Sequence, residues 1–354
     1  MKTQKLWAII GIFLLLGMMN PALAADNGAN QTITDLAGRT VDIPSDVQQV
    51  AALVGPSYEK VFLLGAQDKM ALIPPFPKQM PWAAKVISNL KDISSMTSFQ
   101  DPNIEELMNQ KIDVVFFWDY PKPLQKMIDT GIPVVITQPT TTESQAQSVE
   151  QFRDMIKNEV STFGAVLGSD AGKKAEKYNQ YFDEKVDKIL KVTSAIPDNE
   201  RLKVYYVRGP DALTTHGKNT YTQWWVNMAG GNLVSSDVTE MIPKVNMEQV
   251  INWNPDIIVM GRMNSTSLIL DDPKWKDIAA VKSGKVYTNP DGVMYWDYSS
   301  EGVLLLEYLA KLFYPDKFTD IDMKKEIKEY YSMFYNYTLT DDEAGRILDH
   351  LPPA

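Results

Sequence analysis

Two stretches of this chain follow one design. Residues 103–118 read NIEELMNQKIDVVFFW and residues 246–261 read NMEQVINWNPDIIVMG. At an offset of 143 they share Asn103/Asn246, Glu105/Glu248, Asn109/Asn252 and Asp113/Asp256. Ile104, Leu107 and Met108 fall opposite Met247, Val250 and Ile251, and each copy then enters a run of apolar β-formers. In each copy an asparagine stands three residues before Glu106 or Gln249, close to a capping-box arrangement at a helix start. The copies therefore predict one helix–loop–strand unit built twice. Glu105 and Glu248 are not needed for the reciprocal cap and are free to point to water. Taken alone, an acid there would only offset the helix dipole. Two of them at equivalent places predict a pair of negative studs ready for basic residues on a partner.

The rest of the chain repeats the alternation of strand and helix. TITDLAGRTVDIP (32–44) reads as a hairpin, VQQVAALV (47–54) as a strand, and SYEKVFLLGA (57–66) as a short helix capped by Ser57. KMALIPPF opens another strand, LQKMIDTG a helix and IPVVIT a strand. Such alternation indicates α/β architecture with mainly parallel sheets. Two helical patterns, 149–168 and 170–195, interrupt it. The second carries Ala175, Tyr178, Phe182, Val186 and Ile189 at helical spacing and is roughly 35–40 Å long. Alternation then resumes, and the tail from Glu326 reads as helical and is expected to pack on the second lobe. The predicted division is a signal peptide (1–24), an N-terminal α/β lobe (25–165), a linking long helix (166–196) and a C-terminal α/β lobe with a helical tail (197–354).

Lys2 and Lys5, an apolar run from Leu6 to Met19 and the A-x-A site at Ala22-Leu23-Ala24 predict a cleaved export signal. The apolar run is too short to span a bilayer comfortably. No later segment is longer or more apolar, so a soluble, exported monomer is expected. The chain has no cysteine, which excludes disulfides, zinc–thiolate sites, a thiol nucleophile and a lipid-anchored cysteine. The formal charge is −10, and −12 once the two signal-peptide lysines are gone. An acidic chain with no basic block is a poor partner for nucleic acid or an anionic membrane.

Together, TDLAGRTVDIP, YEKVFLLGAQDKM, NIEELMNQKIDVVFF, TGIPVVIT, MAGGNLV, VNMEQVINWNPDIIVM, VKSGKVYTNPDG and EGVLLLEYLAKLFYPDKF span nearly the whole chain. In order and spacing they resemble the periplasmic substrate-binding proteins that deliver iron complexes and vitamin B12 to ABC importers. The resemblance implies two parallel-sheet lobes joined by one long helix, with the ligand in the cleft between them. It also implies that Glu105 and Glu248 dock on arginines of an inner-membrane permease. A stiff helical spacer predicts a largely preformed cleft with modest closure.

In α/β lobes ligands sit off the carboxyl ends of parallel strands. That rule selects the loops holding Tyr58, Trp118, Arg208, Arg262, Tyr295, Trp296 and Tyr298. The mixture of aromatics and arginines suits a bulky ligand with flat faces and anionic groups, although any one of these residues could serve packing or a surface ion pair instead. His216 could complete the coordination of a chelated metal, or simply hold its loop, and Tyr295 or Tyr298 could supply a phenolate. Trp224 and Trp225 are expected to divide between core and cleft wall. No resident cofactor is expected, the transported ligand itself being a metal complex. The leading expectation is a non-catalytic receptor for an iron(III)–siderophore or similar chelate, with cobalamin, haem or a nickel complex as alternatives. A secreted enzyme or a sensory receptor on a similar scaffold is the alternative of another class. The chain carries no G-x-S-x-G, P-loop or H-E-x-x-H motif to favour an enzyme.

Overall fold

The duplicated unit folds the same way twice. In a computed structural model, which describes residues 30–354 except Thr97, Phe99, 139–144 and Asn264, the helices Ile104–Asn109 and Met247–Trp253 each lead into a strand. The export signal expected at 1–24 lies outside the described residues. Asn103 Oδ1 accepts from the Glu106 amide, and Asn246 forms a full capping box with Gln249. In the first copy the Glu106 carboxylate turns instead to Gln110 at 2.9 Å. Each helix ends on a left-handed residue at the equivalent place, Lys111 (φ 52°) and Asn254 (φ 41°). The shared aspartates also do the same work. Asp113 accepts from the Gln48 and Gln49 amides and Asp256 from the Lys203 amide, each fastening the incoming strand to the first strand of its sheet.

The strands are β1 (Asn30–Thr34), β2 (Thr40–Pro44), β3 (Val50–Ala52), β4 (Met70–Ile73), β5 (Ser94–Ser95), β6 (Val114–Trp118), β7 (Val134–Gln138), β8 (Leu202–Val207), β9 (Gly231–Leu233), β10 (Ile257–Met260) and β11 (Val286–Thr288). β1 and β2 form an antiparallel hairpin. One parallel sheet has the order β5-β4-β3-β6-β7, the other β11-β10-β8-β9. The repeated strands β6 and β10 occupy the same topological place, next to the first strand of their parallel sheet.

Strand alternation divides the core. Val50, Ala52, Val114, Phe116 and Val135 face a central core, as do Val204, Tyr206, Ile257 and Val259 of the second sheet. The opposite faces, Ala51, Val115, Phe117 and Ile136 in one lobe and Tyr205, Val207, Ile258 and Met260 in the other, close two smaller outer cores. Between the sheets lies a helical spine. The helices Val149–Leu167 and Ser169–Thr193 turn back on each other at Gly168, whose φ of 104° suits a residue without Cβ. Their antiparallel contact is marked by Arg153–Asp183 at 2.8 Å and by Asn179–Ser161 at 2.9 Å. The long linking helix expected over 166–196 is Ser169–Thr193, and Val149–Leu167 folds back along it to make a helical pair. The first sheet packs on this pair directly, Phe116 stacking on Phe163, and the second lobe reaches it through the helices Tyr221–Met228 and Gly302–Phe313. The lobes therefore share one continuous core, and large hinge motion would break packed apolar contacts.

Two further details differ from expectation. Ser57 is the first helical residue of Ser57–Leu63 rather than its cap, with its hydroxyl 3.4 Å from Thr137 Oγ1. The helical tail does not stay on the second lobe. Tyr335 donates to Glu59 at 2.8 Å, the Trp82 indole donates to the Leu351 carbonyl at 2.9 Å, and Lys85 lies 3.7 Å from Glu343. The tail therefore straps the first lobe to the second.

Beneath this strap lies a buried charge network. Lys60, almost wholly buried, sits 3.3 Å from Glu159 and 3.8 Å from Glu59. Burial pushes both carboxyls up in pKa and Lys60 draws them back. Lys60→Met leaves two buried carboxyls without their cation and is expected to cost about 3–5 kcal/mol, the usual penalty for breaking a buried ion pair from one side. Urea unfolding would show it as a lower midpoint at an unchanged slope. A midpoint equal to wild type would mean the network contributes nothing.

Glu301 lies deeper still, accepting from Tyr331 at 2.7 Å and from the Met294 amide at 3.0 Å. Desolvation dominates, and its pKa rises from 4.5 to about 8. The folded protein therefore keeps a proton that the unfolded chain releases. The resulting stability is fully present below about pH 4.5 and is lost as pH rises through about 8. Asp291 and Glu307, each raised to about 7, act in the same direction. Glu301→Gln, a neutral isostere, is expected to flatten the decline in unfolding free energy between pH 5 and pH 8. An unchanged slope would show that Glu301 is already ionised in the folded state.

Candidate functional site

The carboxyl ends of both sheets deliver side chains to one place, as the geometry of parallel strands dictates. β6 ends at Trp118 and β7 at Gln138, and the chain after β3 turns at Gly55. From the second lobe, Arg208 follows β8, Arg262 follows β10, and Tyr295 and Tyr298 stand in the loop after β11. The two sets meet directly. The Tyr298 hydroxyl donates to Gln138 Oε1 at 2.7 Å, and the Trp118 indole N–H donates to the same oxygen at 2.7 Å. A Cβ at Gly55 would stand 2.8 Å from the Tyr298 ring, so only glycine permits this approach.

Arg262 organises the second-lobe side. Its guanidinium carbon lies 4.9 Å from the Tyr295 ring centre and 5.2 Å from that of Tyr298. Nη2 donates to the Tyr221 hydroxyl at 2.8 Å, and Nε lies 3.5 Å from Asp297 Oδ1. Asp297 is fully buried and also accepts from Tyr206 at 3.2 Å. Burial opposes the charge on Arg262 most strongly, but Asp297 together with Tyr221, Tyr206 and Tyr298 outweighs it, and the net shift is upward, so the guanidinium stays charged. Arg208 is half-buried, with Nη1 donating to the Gly209 carbonyl at 3.3 Å. The Nε of Arg208 is buried without a hydrogen-bond acceptor among the described residues, whereas that of Arg262 faces its ion-pair partner Asp297. A buried donor such as the Arg208 Nε calls for an acceptor from elsewhere.

His216 lies behind this layer with 1% of its surface exposed. Its Nε2 is 3.1 Å from the Tyr221 hydroxyl and its Nδ1 is 2.7 Å from Thr222 Oγ1. Arginine can only donate, so Tyr221 accepts from Arg262 and passes its own proton towards Nε2. This assigns the Nδ1–H tautomer. Burial, then Arg262 and Arg208, hold its pKa well below the ordinary value. In this arrangement the imidazole supports Tyr221 and has both nitrogens engaged, unlike the open ligand that the sequence allowed.

Other expected cleft residues also turn inward. Tyr58 is fully buried, its hydroxyl donating to the Val293 carbonyl at 2.6 Å, because the first helical turn points it between Phe62 and Phe76. Trp296 is fully buried as well, since the 3-10 turn Trp296–Tyr298 sends it into the core while Asp297 and Tyr298 meet Arg262. Trp224 and Trp225 are both buried, the latter against Phe152 and Phe182. Burial raises the pKa of Tyr295 and Tyr298, so both phenols stand as neutral donors. Sequence reasoning singled out neither Tyr221, Asp297 nor Gln138. The strand-end rule carried one residue past "IPVVIT" reaches Gln138, whereas only the folded chain brings Tyr221 to Arg262. Among the described residues there is no cluster of three or more acids or histidines able to hold a bare metal ion, and no helix long and apolar enough to cross a membrane.

Glu105 and Glu248 are both exposed, in the first turns of the two repeated helices.

Two parallel-sheet lobes on a helical spine, with converging strand ends between them, define a solute receptor. The model of the periplasmic binding protein family matches residues 50–292, and the chain belongs to that family, as a substrate-binding protein of the ABC importers. The molybdate-binding protein MolA of Haemophilus influenzae is 26% identical over 352 residues, covering 94% of this chain and 99% of that protein. The vitamin B12-binding protein of Pectobacterium atrosepticum is 23% identical over 219 residues, covering 60% of this chain and 71% of that protein. Among solved structures, a periplasmic solute binding protein from Veillonella parvula aligns with a TM-score of 0.77 at 28% identity, over 91% of this chain and 97% of that one.

Proposed function

We propose that this protein captures a compact oxyanion of the molybdate class and delivers it to an ABC permease. The observation that carries this is the pair Arg208 and Arg262 at the carboxyl ends of neighbouring strands, with the Arg208 Nε buried and lacking an acceptor among the described residues. Guanidinium groups match tetrahedral oxyanions well, and the nearby neutral donors Tyr298 and Trp118 extend the set. A relative matching over nearly its full length is named for molybdate binding, which supports the same ligand class. The tight meeting of Tyr298 with Gln138 and the 15% exposure of the Arg262 side chain favour a small guest over a macrocycle.

A second reading keeps the larger ligand. The Tyr295 and Tyr298 rings beside Arg262 and the half-buried Trp118 would suit the flat faces of an anionic metal chelate, such as an iron(III)–siderophore. Cobalamin, haem or a nickel complex would need still more open ring surface. Calorimetric titration with molybdate, tungstate, sulfate and phosphate, run beside ferric catecholate, ferric hydroxamate, haem and cobalamin, separates these readings. Saturable binding of an oxyanion is expected. Heat from chelates alone would transfer the assignment to the second reading.

In the same proposal Glu105 and Glu248 are the docking points for basic residues of the permease. Their matched positions in the duplicated units and their exposure support that role. Export through the 1–24 signal and a monomeric state complete it.

A further inference from the structure

One oxygen at the centre of the site belongs to the protein itself. Gln138 Oε1 accepts from the Trp118 indole and the Tyr298 hydroxyl, each at 2.7 Å. An indole N–H only donates, so the atom it meets is the carboxamide oxygen and not the nitrogen. The amide also lies close enough to Glu159 to favour that carboxyl's charged form. The donors come from the two different lobes, and the Tyr298 ring that carries one of them also lies under the Arg262 guanidinium. Two aimed donors and a nearby cation around a single acceptor make a surrounding suited to an anionic oxygen. At present they serve a neutral one.

We propose that the Gln138 carboxamide oxygen stands in for a ligand oxygen, keeping Trp118 and Tyr298 aimed at one point and giving up that point when an anion binds. Gln138 is half-buried at the last position of β7, so its side chain can swing out without disturbing the buried strand residues before it. A charged oxygen outcompetes an amide oxygen for the same donors because charge-assisted hydrogen bonds are about twice as strong. A neutral solute does not. Gln138 thereby acts as a specificity-determining residue that raises the threshold for entry, and this rests on the oxyanion reading above.

The test compares wild type, Gln138→Ala and Gln138→Glu by calorimetry with molybdate, tungstate, sulfate and phosphate, with circular dichroism melts as a folding control. Removing an internal competitor should tighten binding of the preferred anion by about three- to tenfold, the scale of one hydrogen bond. Gln138→Glu, which installs a permanent anion, should weaken it at least tenfold. It should also shift the Trp118 indole resonance in ligand-free protein in the direction that molybdate shifts it in wild type. If wild type binds an oxyanion and Gln138→Ala binds it equally or more weakly, Gln138 is scaffold or a direct contact, and the stand-in role is wrong while the oxyanion reading survives. If neither wild type nor Gln138→Ala binds any of the four, the oxyanion reading fails and the stand-in role falls with it.

Discussion

Arg262→Met is expected to lower affinity for the bound oxyanion by roughly ten- to hundredfold and to destabilise the fold by about 3 kcal/mol. The first effect is the loss of charge-assisted hydrogen bonds, worth about 1.5–3 kcal/mol. The second arises because Asp297, fully buried 3.5 Å from the guanidinium, would be left, among the described residues, with the Tyr206 hydroxyl as its hydrogen-bond donor. The two effects can be pulled apart. Adding Asp297→Asn removes the stranded charge, so the double variant should regain most of the lost stability while its affinity stays low. The two sites touch, and their effects will not add. Denaturant unfolding and calorimetry on the four proteins of the cycle check this. If the double variant also recovers affinity, Arg262 holds the structure and does not meet the ligand.

The largest expected effect on transport comes from residues far from that site. Reversing both Glu105 and Glu248 to arginine should abolish uptake through the importer while leaving ligand affinity within about threefold of wild type. Both carboxylates are exposed in the first turns of short helices, so the substitutions break no packing and lose only about 0.3–1 kcal/mol each of helix-dipole compensation. Uptake by whole cells, measured beside the dissociation constant of the purified protein, decides the matter. Equal uptake by the double reversal would remove these residues from the permease interface. Each single reversal should retain partial uptake, since one stud would remain.

Much of the architecture was legible because it depends on local rules. The offset of 143 between the two copies forecast two equivalent units, and the folded chain gives them the same cap and the same left-handed stop. It also gives them the same strand-fastening aspartate. Strand-end logic gathered Arg208, Arg262, Tyr295, Tyr298 and Trp118 into one neighbourhood. The same logic misplaced Tyr58 and Trp296, because it selects loops and not the rotation of a side chain within a turn. Two residues of a 3-10 turn separate buried Trp296 from half-buried Tyr298.

The sequence by itself determined the two α/β lobes, the helical patterns between them and the paired exposed acids, since caps, periodicity and turns act over a few residues. Tertiary structure alone decided that the helical connection doubles back at Gly168, and that the tail ties Glu59 and Trp82 of the first lobe to the second. It alone placed Gln138, Tyr221 and Asp297 around the arginines, joining Gln138 to Tyr298 across 160 residues of chain. Contacts of that range form only when apolar faces from distant segments bury one another, and no local pattern in the chain encodes which polar group the resulting core leaves beside a given guanidinium.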